Sequence, residues 1–386
     1  MKYFGMLFFF SIVFSIYFAG NFYIFNRGLQ ALPYISWLRI CYKFIFIFLS
    51  FAFIISRFTG HSTFIKIHHI LTWFGSFWLA AIVYFLLAVI LFDLVRLLNL
   101  GFHFLPLSDS IEYLKLKLTV LIITVFSVGF ILIYGYINAI HPRINKLNLT
   151  ISKLSPITKS LKIVAVSDIH LGPLIGKKRL ELMVKLVNEQ KPDIIILAGD
   201  ILDESQESII KEDTGNPLRK FNSTYGVYAV AGNHEYIGGI STAIKYIQSL
   251  NITILRDSSA EINKSFYLIG RDDRGMGRGS NKKRKALNEL VMNLDKSKPL
   301  ILIDHQPYNL QEAVNNGIDI QISGHTHNGQ FWPFNYITKK IFELSWGYKK
   351  KVNTNFYVSS GFGTWGPPIR IGNRPEIVVF NLKFIN

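Results

Sequence analysis

Five apolar runs after residue 160 of this chain each end, within a few residues, in side chains able to hold a metal ion. Few folds permit that junction to recur five times. The first is LKIVAVSDIHLG at 161–172, where a strand-like run leads straight into Asp168 and His170. The others are LAGD at 197–200, AGNHE at 231–235, LIDHQP at 302–307 and SGHTHNGQ at 323–330. In an open α/β sheet, chemistry collects in the loops beyond the carboxyl ends of the strands.

Apolar strand-like runs at 161–167, 194–198, 226–230, 266–270, 299–303, 318–322, 355–359 and 376–382 alternate with helical patterns at 177–190, 239–250, 281–294 and 309–316. That alternation predicts an α/β domain over 161–386. The stretch 141–160, HPRINKLNLTISKLSPITKS, is polar and carries Pro142 and Pro156, so it is expected to be a linker.

Residues 1–140 differ in kind. Apolar runs occupy 4–25, 37–56, 70–95 and 118–140, each near the ~20 residues a helix needs to cross a bilayer. The expectation is an all-α transmembrane region of about four helices, and hence a multi-pass integral membrane protein. No small-residue cleavage site follows the first run, which therefore reads as an anchor. Arg39 and Lys43 fall in the first turns of the second run, and Trp37, Trp73 and Trp78 near or within run ends. Asp93 beside Arg96 predicts an interfacial ion pair, and His68 and His69 a short polar loop. The net charge of +17 splits into +6 before residue 140 and +11 after it. Excess base suits acidic headgroups or phosphorylated substrates; no helix-turn-helix, zinc-finger or RNA-binding signature supports nucleic acid as a partner. The basic residues of alternate loops divide seven against six, a slight lean towards a cytoplasmic catalytic domain. With Cys41 as the only cysteine, neither a disulfide framework nor a thiolate metal site is open to the chain.

Asp168, His170, Asp200, Asn233, His305, His325 and His327 form an oxygen-and-nitrogen ligand set suited to manganese, iron or zinc. Two cations about 4 Å apart need a shared anion, and the two oxygens of Asp200 can supply the bridge. His325 and His327, two apart, would project to one face of an extended segment and could each reach one metal. Gly199 and Gly324 relieve crowding beside the ligands.

The ordered series DIH, GD, GNHE, H and GHTH over about 161–383 resembles the calcineurin-like metallophosphoesterases. The resemblance implies a four-layer αββα sandwich of two sheets flanked by helices, with two divalent metal ions at the strand ends. One is implied on Asp168, His170, Asp200 and His327, the other on Asp200, Asn233, His305 and His325. It assigns His234 to substrate, as a stabiliser of phosphoryl oxygens or a proton donor to the leaving group. Asp203 and Glu235 are expected behind the ligands, holding imidazoles. The implied reaction is hydrolysis of a phosphoester or pyrophosphate bond by metal-activated hydroxide. The ending SSGFGTWGPPIRIGNRPEIVVF at 359–380 is similar to the membrane-attached branch of the family, while Asn328 in GHTHNGQ stands where many of that branch have glycine.

Two segments bear on the substrate. Arg271 to Arg274 and the following MGRGS either offer cations for a second phosphate or a headgroup, or form a polar surface loop. FWPFNYITKKIFELSWGYKKK at 331–351 interleaves aromatic rings with Lys339, Lys340, Lys349, Lys350 and Lys351, the composition of a membrane-docking surface and hence of a site for a lipid-linked substrate. A catalytically weak metal-stabilised binding or regulatory module is the alternative, although no ligand is missing. A transporter would need more polar residues in the apolar runs than they contain.

Overall fold

The computed structural model describes residues 2–59, 65–153, 155, 158–203, 206–277 and 283–385. The chain forms two compact units, Met1–Tyr134 and Gly135–Asn386.

The first unit is helical: α1 (Lys2–Ala31), α2 (Ser36–Thr59), α3 (Ile65–Phe102) and most of α4 (Ile111–Ile140). Among the described residues, three helices are long and apolar enough to cross a membrane, Ser36–Thr59, Lys66–Phe102 and Ile111–Ile140. The run at 4–25 falls within α1, where the side chains of residues 3–7, 9 and 10 lie outside the described residues. Phe44, Phe126 and Phe130 point outward and exposed, as in helices that are apolar all round. Asp93 accepts from Arg96 at 3.1 Å, as expected, and also from Arg27 at 2.6 Å and from Tyr23. His68 and His69 lie in α3 and not in the expected polar loop; His68 is buried with Nδ1 3.0 Å from the Ser56 carbonyl at the end of α2.

Among the described residues, the second unit carries twelve strands in two six-stranded sheets. The first sheet has β1 (Arg143–Ile151), β2 (Ser160–Val166), β3 (Ile194–Ala198), β4 (Val227–Val230), β5 (Thr253–Ile254) and β12 (Glu376–Phe384), in the order β1-β12-β2-β3-β4-β5. The second has β6 (Ser258–Ile262), β7 (Phe266–Gly270), β8 (Leu300–Ile303), β9 (Ile320–Ser323), β10 (Gly347–Lys351) and β11 (Thr354–Val358), in the order β10-β11-β9-β8-β7-β6. Strands β2 to β5 run parallel, as do β7, β8, β9 and β11. The helices are α5 (Lys177–Glu189), α6 (Gln206–Lys211), α7 (Asn233–Gly238), α8 (Ile240–Ser249), α9 (Leu287–Val291), α10 (Leu310–Asn315) and α11 (Phe334–Ile341).

Strand alternation sorts the core. Ile163 and Ala165 of β2 and Ile194 and Ile196 of β3 share one cluster with Leu268, Ile301, Ile303, Ile320 and Ile322 of the other sheet. The intervening Val164, Val166, Ile195 and Leu197 face the opposite way, against Leu180, Met183 and Val187 of α5 and Ile247 of α8. Ile269, Leu300 and Leu302 likewise pack on α9 and α10. Apolarity on both faces explains why these strands read as unbroken apolar runs.

Two expectations need correcting. The polar stretch 141–160 contains β1, which pairs parallel with β12 from Arg143↔Glu376 to Ile151↔Phe384. As an edge strand it buries little beyond Ile151, so its residues carry the composition of a connector. The helical pattern at 281–294 yields only α9, and residues 281 and 282 lie outside the described residues.

Candidate metal centre

Strands β2, β3, β4, β8 and β9 all deliver their next residues to one place. Asp168 and His170 follow β2, Asp200 follows β3, Asn233 and His234 open α7 after β4, His305 follows β8, and His325 and His327 follow β9. The backbone there is tightly turned: Asp168, His170, Asp200, His325 and His327 all have positive φ, between 49° and 72°. Side chains other than glycine rarely adopt this region, and such residues gather at functional sites. Gly232 and Gly324 permit the approach of the loops, since a Cβ at either would strike a carboxylate, that of Asp200 or of Asp168.

Among the described residues three groups result, two of which consist of candidate ligands alone. Asp168, His170 and His327 bring one ligating atom each within 4.8 Å of the others, and so do Asp200, His305 and His325. In the first, His170 Nε2 and His327 Nε2 are 3.0 Å apart, and His327 Nε2 is 3.5 Å from Asp168 Oδ1. Asp200 lies between the clusters: its Oδ2 is 3.1 Å from His305 Nε2 and 3.9 Å from His170 Nε2. Its Oδ1 accepts the backbone N–H of His234 at 2.9 Å. His325 and His327 do part company, one beside His305 and the other beside His170, with ring centroids 5.3 and 5.0 Å apart. The cause is the left-handed backbone at both residues and not the extended segment the spacing suggests.

The donors fit divalent metal. Asp168 Oδ2, His170 Nδ1 and Asn233 Oδ1 are buried without a hydrogen-bond partner, a costly condition unless something else binds them. His305 Nδ1 faces the Ala198 carbonyl at 2.7 Å, which sets Nε2 towards Asp200 and fixes the tautomer a metal would need. Nitrogen and oxygen donors without thiolate suit manganese, iron or zinc.

The electrostatics agree. Burial pushes the Asp168 carboxyl up to about 6, with the nearby Asp200 charge adding to it. Burial also opposes ionisation of Asp200, but His305, His170 and His234 outweigh it and hold that carboxyl well below its usual range. Burial brings His170 down to about 4 and His325 to about 3. His305 alone is driven well above the usual imidazole range: burial opposes its charge, and Asp200, Asp168 and Asp273 overcome it. That is the electrostatic setting of a site built for positive charge.

His234 is buried at the same place, its ring 4.5 Å from that of His170 and 6.2 Å from that of Trp365. Its Nδ1 is 3.3 Å from Asp203 Oδ1, so Asp203 orients an imidazole as expected. Glu235 does something else. Its carboxylate accepts the backbone N–H groups of Asp200, Ile201, Leu202 and Gly232 at 2.7–3.2 Å, and thereby fixes the β3 loop against the β4 loop.

Arg370 plays a part that sequence reasoning did not anticipate. Fully buried, it donates to the carbonyls of Ser360 at 2.6 Å and Gly363 at 2.5 Å, and approaches His327 Nδ1 at 3.3 Å. Its signal was the first of two arginines in GPPIRIGNR. Arg271 is conversely not a cation for substrate. It is buried and bound to Glu312 at 3.0 Å and Asp304 at 3.3 Å. Asp272 and Asp273 are buried too, bound to Arg256 and Gln306. Arg274 remains at the surface, over the Tyr308 ring; residues 278–280 of MGRGS lie outside the described residues.

The description "Calcineurin-like phosphoesterase" matches residues 161–329. An uncharacterized metallophosphoesterase of Aquifex aeolicus is 31% identical over 252 residues, covering 65% of this chain and 95% of the relative. One of Campylobacter jejuni is 33% identical, over 69% of each chain. A bovine "Transmembrane protein with metallophosphoesterase domain" is 32% identical, over 70% of this chain and 63% of its own length. Similarity running through nearly the whole of the Aquifex protein places this chain in the calcineurin-like metallophosphoesterase family, hydrolases acting on phosphoester bonds.

Proposed function

We propose that the protein is a membrane-anchored, dinuclear metal-dependent phosphoesterase. Residues 161–386, extended by β1, form the catalytic domain, an αββα sandwich, and residues 1–140 anchor it through about four spans. The bovine relative's printed name supports the anchoring, as do the three apolar helices. The observation that carries the proposal is the carboxylate of Asp200, set between a cluster containing His170 and one containing His305.

In this reading Asp168, His170, Asp200 and His327 would hold one cation, and Asp200, Asn233, His305 and His325 the other. Two such ions supply a nucleophile at neutral pH and offset the charge that grows on the phosphoryl oxygens. The chain's own residues do the rest. Asp200, set between the two ligand clusters, would offset the repulsion between two bound cations. His234, oriented by Asp203, stabilises the phosphoryl oxygens or gives a proton to the leaving oxygen. Glu235 and Arg370 hold the ligand loops in place without touching substrate.

Replacing Asp200 by Asn removes negative charge from between the ions. We expect loss of bound manganese together with near-complete loss of turnover on an aryl phosphodiester. A variant that kept both would overturn the two-metal assignment.

A further inference from the structure

Within the helical unit, α1, α2, α3 and α4 surround an open cavity of about 270 Å³. Its wall is apolar and includes Ile24, Phe46, Leu49, Trp78, Phe85 and Val125. Three cations also line it: Arg27 towards the end of α1, Arg96 towards the end of α3, and Lys117 in the second turn of α4. All three thus gather at the end of the unit where α1 meets α2 and α3 meets α4.

The charges there do not balance. Asp93 serves both Arg27 and Arg96, at 2.6 and 3.1 Å. The Lys117 ammonium lies 5.3 Å from the Tyr113 ring centroid, and among the described residues no ion pair engages it. Three cations against one carboxylate leave an excess of positive charge over an apolar chamber. Water gains little in a chamber whose wall offers so few hydrogen-bond partners. Cations at the ends of spans lie at headgroup depth, and basic pockets between transmembrane helices select anionic headgroups.

We propose that this cavity binds one anionic phospholipid, its acyl chain between the helices and its phosphate against Lys117 and Arg96. The proposal rests on α2, α3 and α4 being membrane spans, and is independent of the chemistry at the metal centre. A zwitterionic lipid brings its own cation to the same mouth and is disfavoured there.

The test uses the full chain in neutral detergent, titrated with phosphatidylglycerol or phosphatidylcholine of equal chain length and followed by native mass spectrometry. One phosphatidylglycerol should be retained, in about tenfold preference to phosphatidylcholine. Lys117→Gln should weaken that retention by about fivefold, the worth of one basic group, while Lys117→Arg preserves it. Ala88 lines the cavity, and Ala88→Phe should abolish retention of either lipid while the thermal transition of the chain persists. Equal retention of the two lipids, or wild-type behaviour of both Lys117→Gln and Ala88→Phe, would mean annular lipid only and overturn the proposal. So would displacement of the lipid by equimolar inorganic phosphate. Should the chain stay monodisperse in water without detergent, the span assignment itself fails, an outcome distinct from any of these.

Discussion

His234 and Asp203 carry the sharpest expectation at the scale of single residues. With Nδ1 turned to Asp203 at 3.3 Å, we assign Nε2 of His234 to substrate. His234→Ala should lower kcat by ~10²-fold, the usual worth of a proton donor or charge stabiliser, with bound metal unchanged. Asp203→Asn should cost less, about tenfold, and move the pH profile, because it alters how the imidazole is held and not whether it is present. Steady-state kinetics with metal analysis on both variants checks this, and metal loss in His234→Ala would return the residue to a structural role. The seven candidate ligands and His234 could be named from sequence because each follows an apolar run by one to five residues, and strand ends bring such positions together. Arg370 could not. Its contacts are to backbone carbonyls supplied by a loop path that no local pattern encodes. Glu235 was placed rightly but its partners were not, since a carboxylate beside a ligand serves backbone N–H groups as readily as imidazoles.

Elements were legible in proportion to how completely they are buried. Strands β2, β3, β8 and β9 are buried almost throughout and announced themselves as apolar runs. The edge strands β1, RINKLNLTI, and β10, GYKKK, were hidden by their half-exposed, charged sequences; edge strands commonly carry lysine, which deters pairing with other chains. Yet β1 is tied firmly to the fold through Glu376 of β12. That carboxylate, fully buried, accepts from Asn145 of β1, the Tyr357 hydroxyl of β11 at 3.1 Å, Trp346 Nε1 at 3.0 Å and the Ser360 N–H at 2.6 Å. Glu376→Ala would strand these donors together, at a cost of about 3 kcal/mol. For a unit of this size that corresponds to a fall in Tm of roughly 6–12 °C. Glu376→Gln, which keeps an acceptor oxygen, should lose less. Calorimetry of the two variants decides the matter, and a Glu376→Ala protein as stable as the parent would show that β1 is not held through this residue.

For the molecule as a whole, the open question is whether the catalytic unit itself meets the bilayer, and the segment 331–351 divides on that point. Phe331 and Phe342 are buried, Phe334 is half-buried, and Lys349 and Lys351 are both drawn to Glu343 at 2.9 and 3.0 Å. Those residues serve the fold. Helix α11 differs: it buries none of its residues, and Tyr336, Ile337 and Ile341 stand exposed on it beside Lys339 and Lys340. Trp332 just before the helix is exposed too, whereas Trp346 and Tyr348 after it, though partly exposed, are tied into the fold by hydrogen bonds to Glu376 and Asn355. A short amphipathic helix with unpartnered apolar side chains, aromatic rings and lysines has the make-up of an interfacial helix. Each lysine near an anionic surface contributes about 1 kcal/mol. The catalytic unit prepared from residue 135 onward retains β1, which a chain begun at residue 155 would lack. It should bind phosphatidylglycerol vesicles and leave phosphatidylcholine vesicles in solution. Changing Trp332, Tyr336 and Ile337 to Ser and Lys339 and Lys340 to Gln should reduce vesicle binding at least tenfold, since two charges and three apolar anchors are lost. Turnover of a soluble aryl phosphodiester should be unchanged, because none of the five residues belongs to the ligand set. Vesicle binding equal in parent and variant would assign contact with the bilayer to some other surface, and with it remove the main support for a lipid-linked substrate.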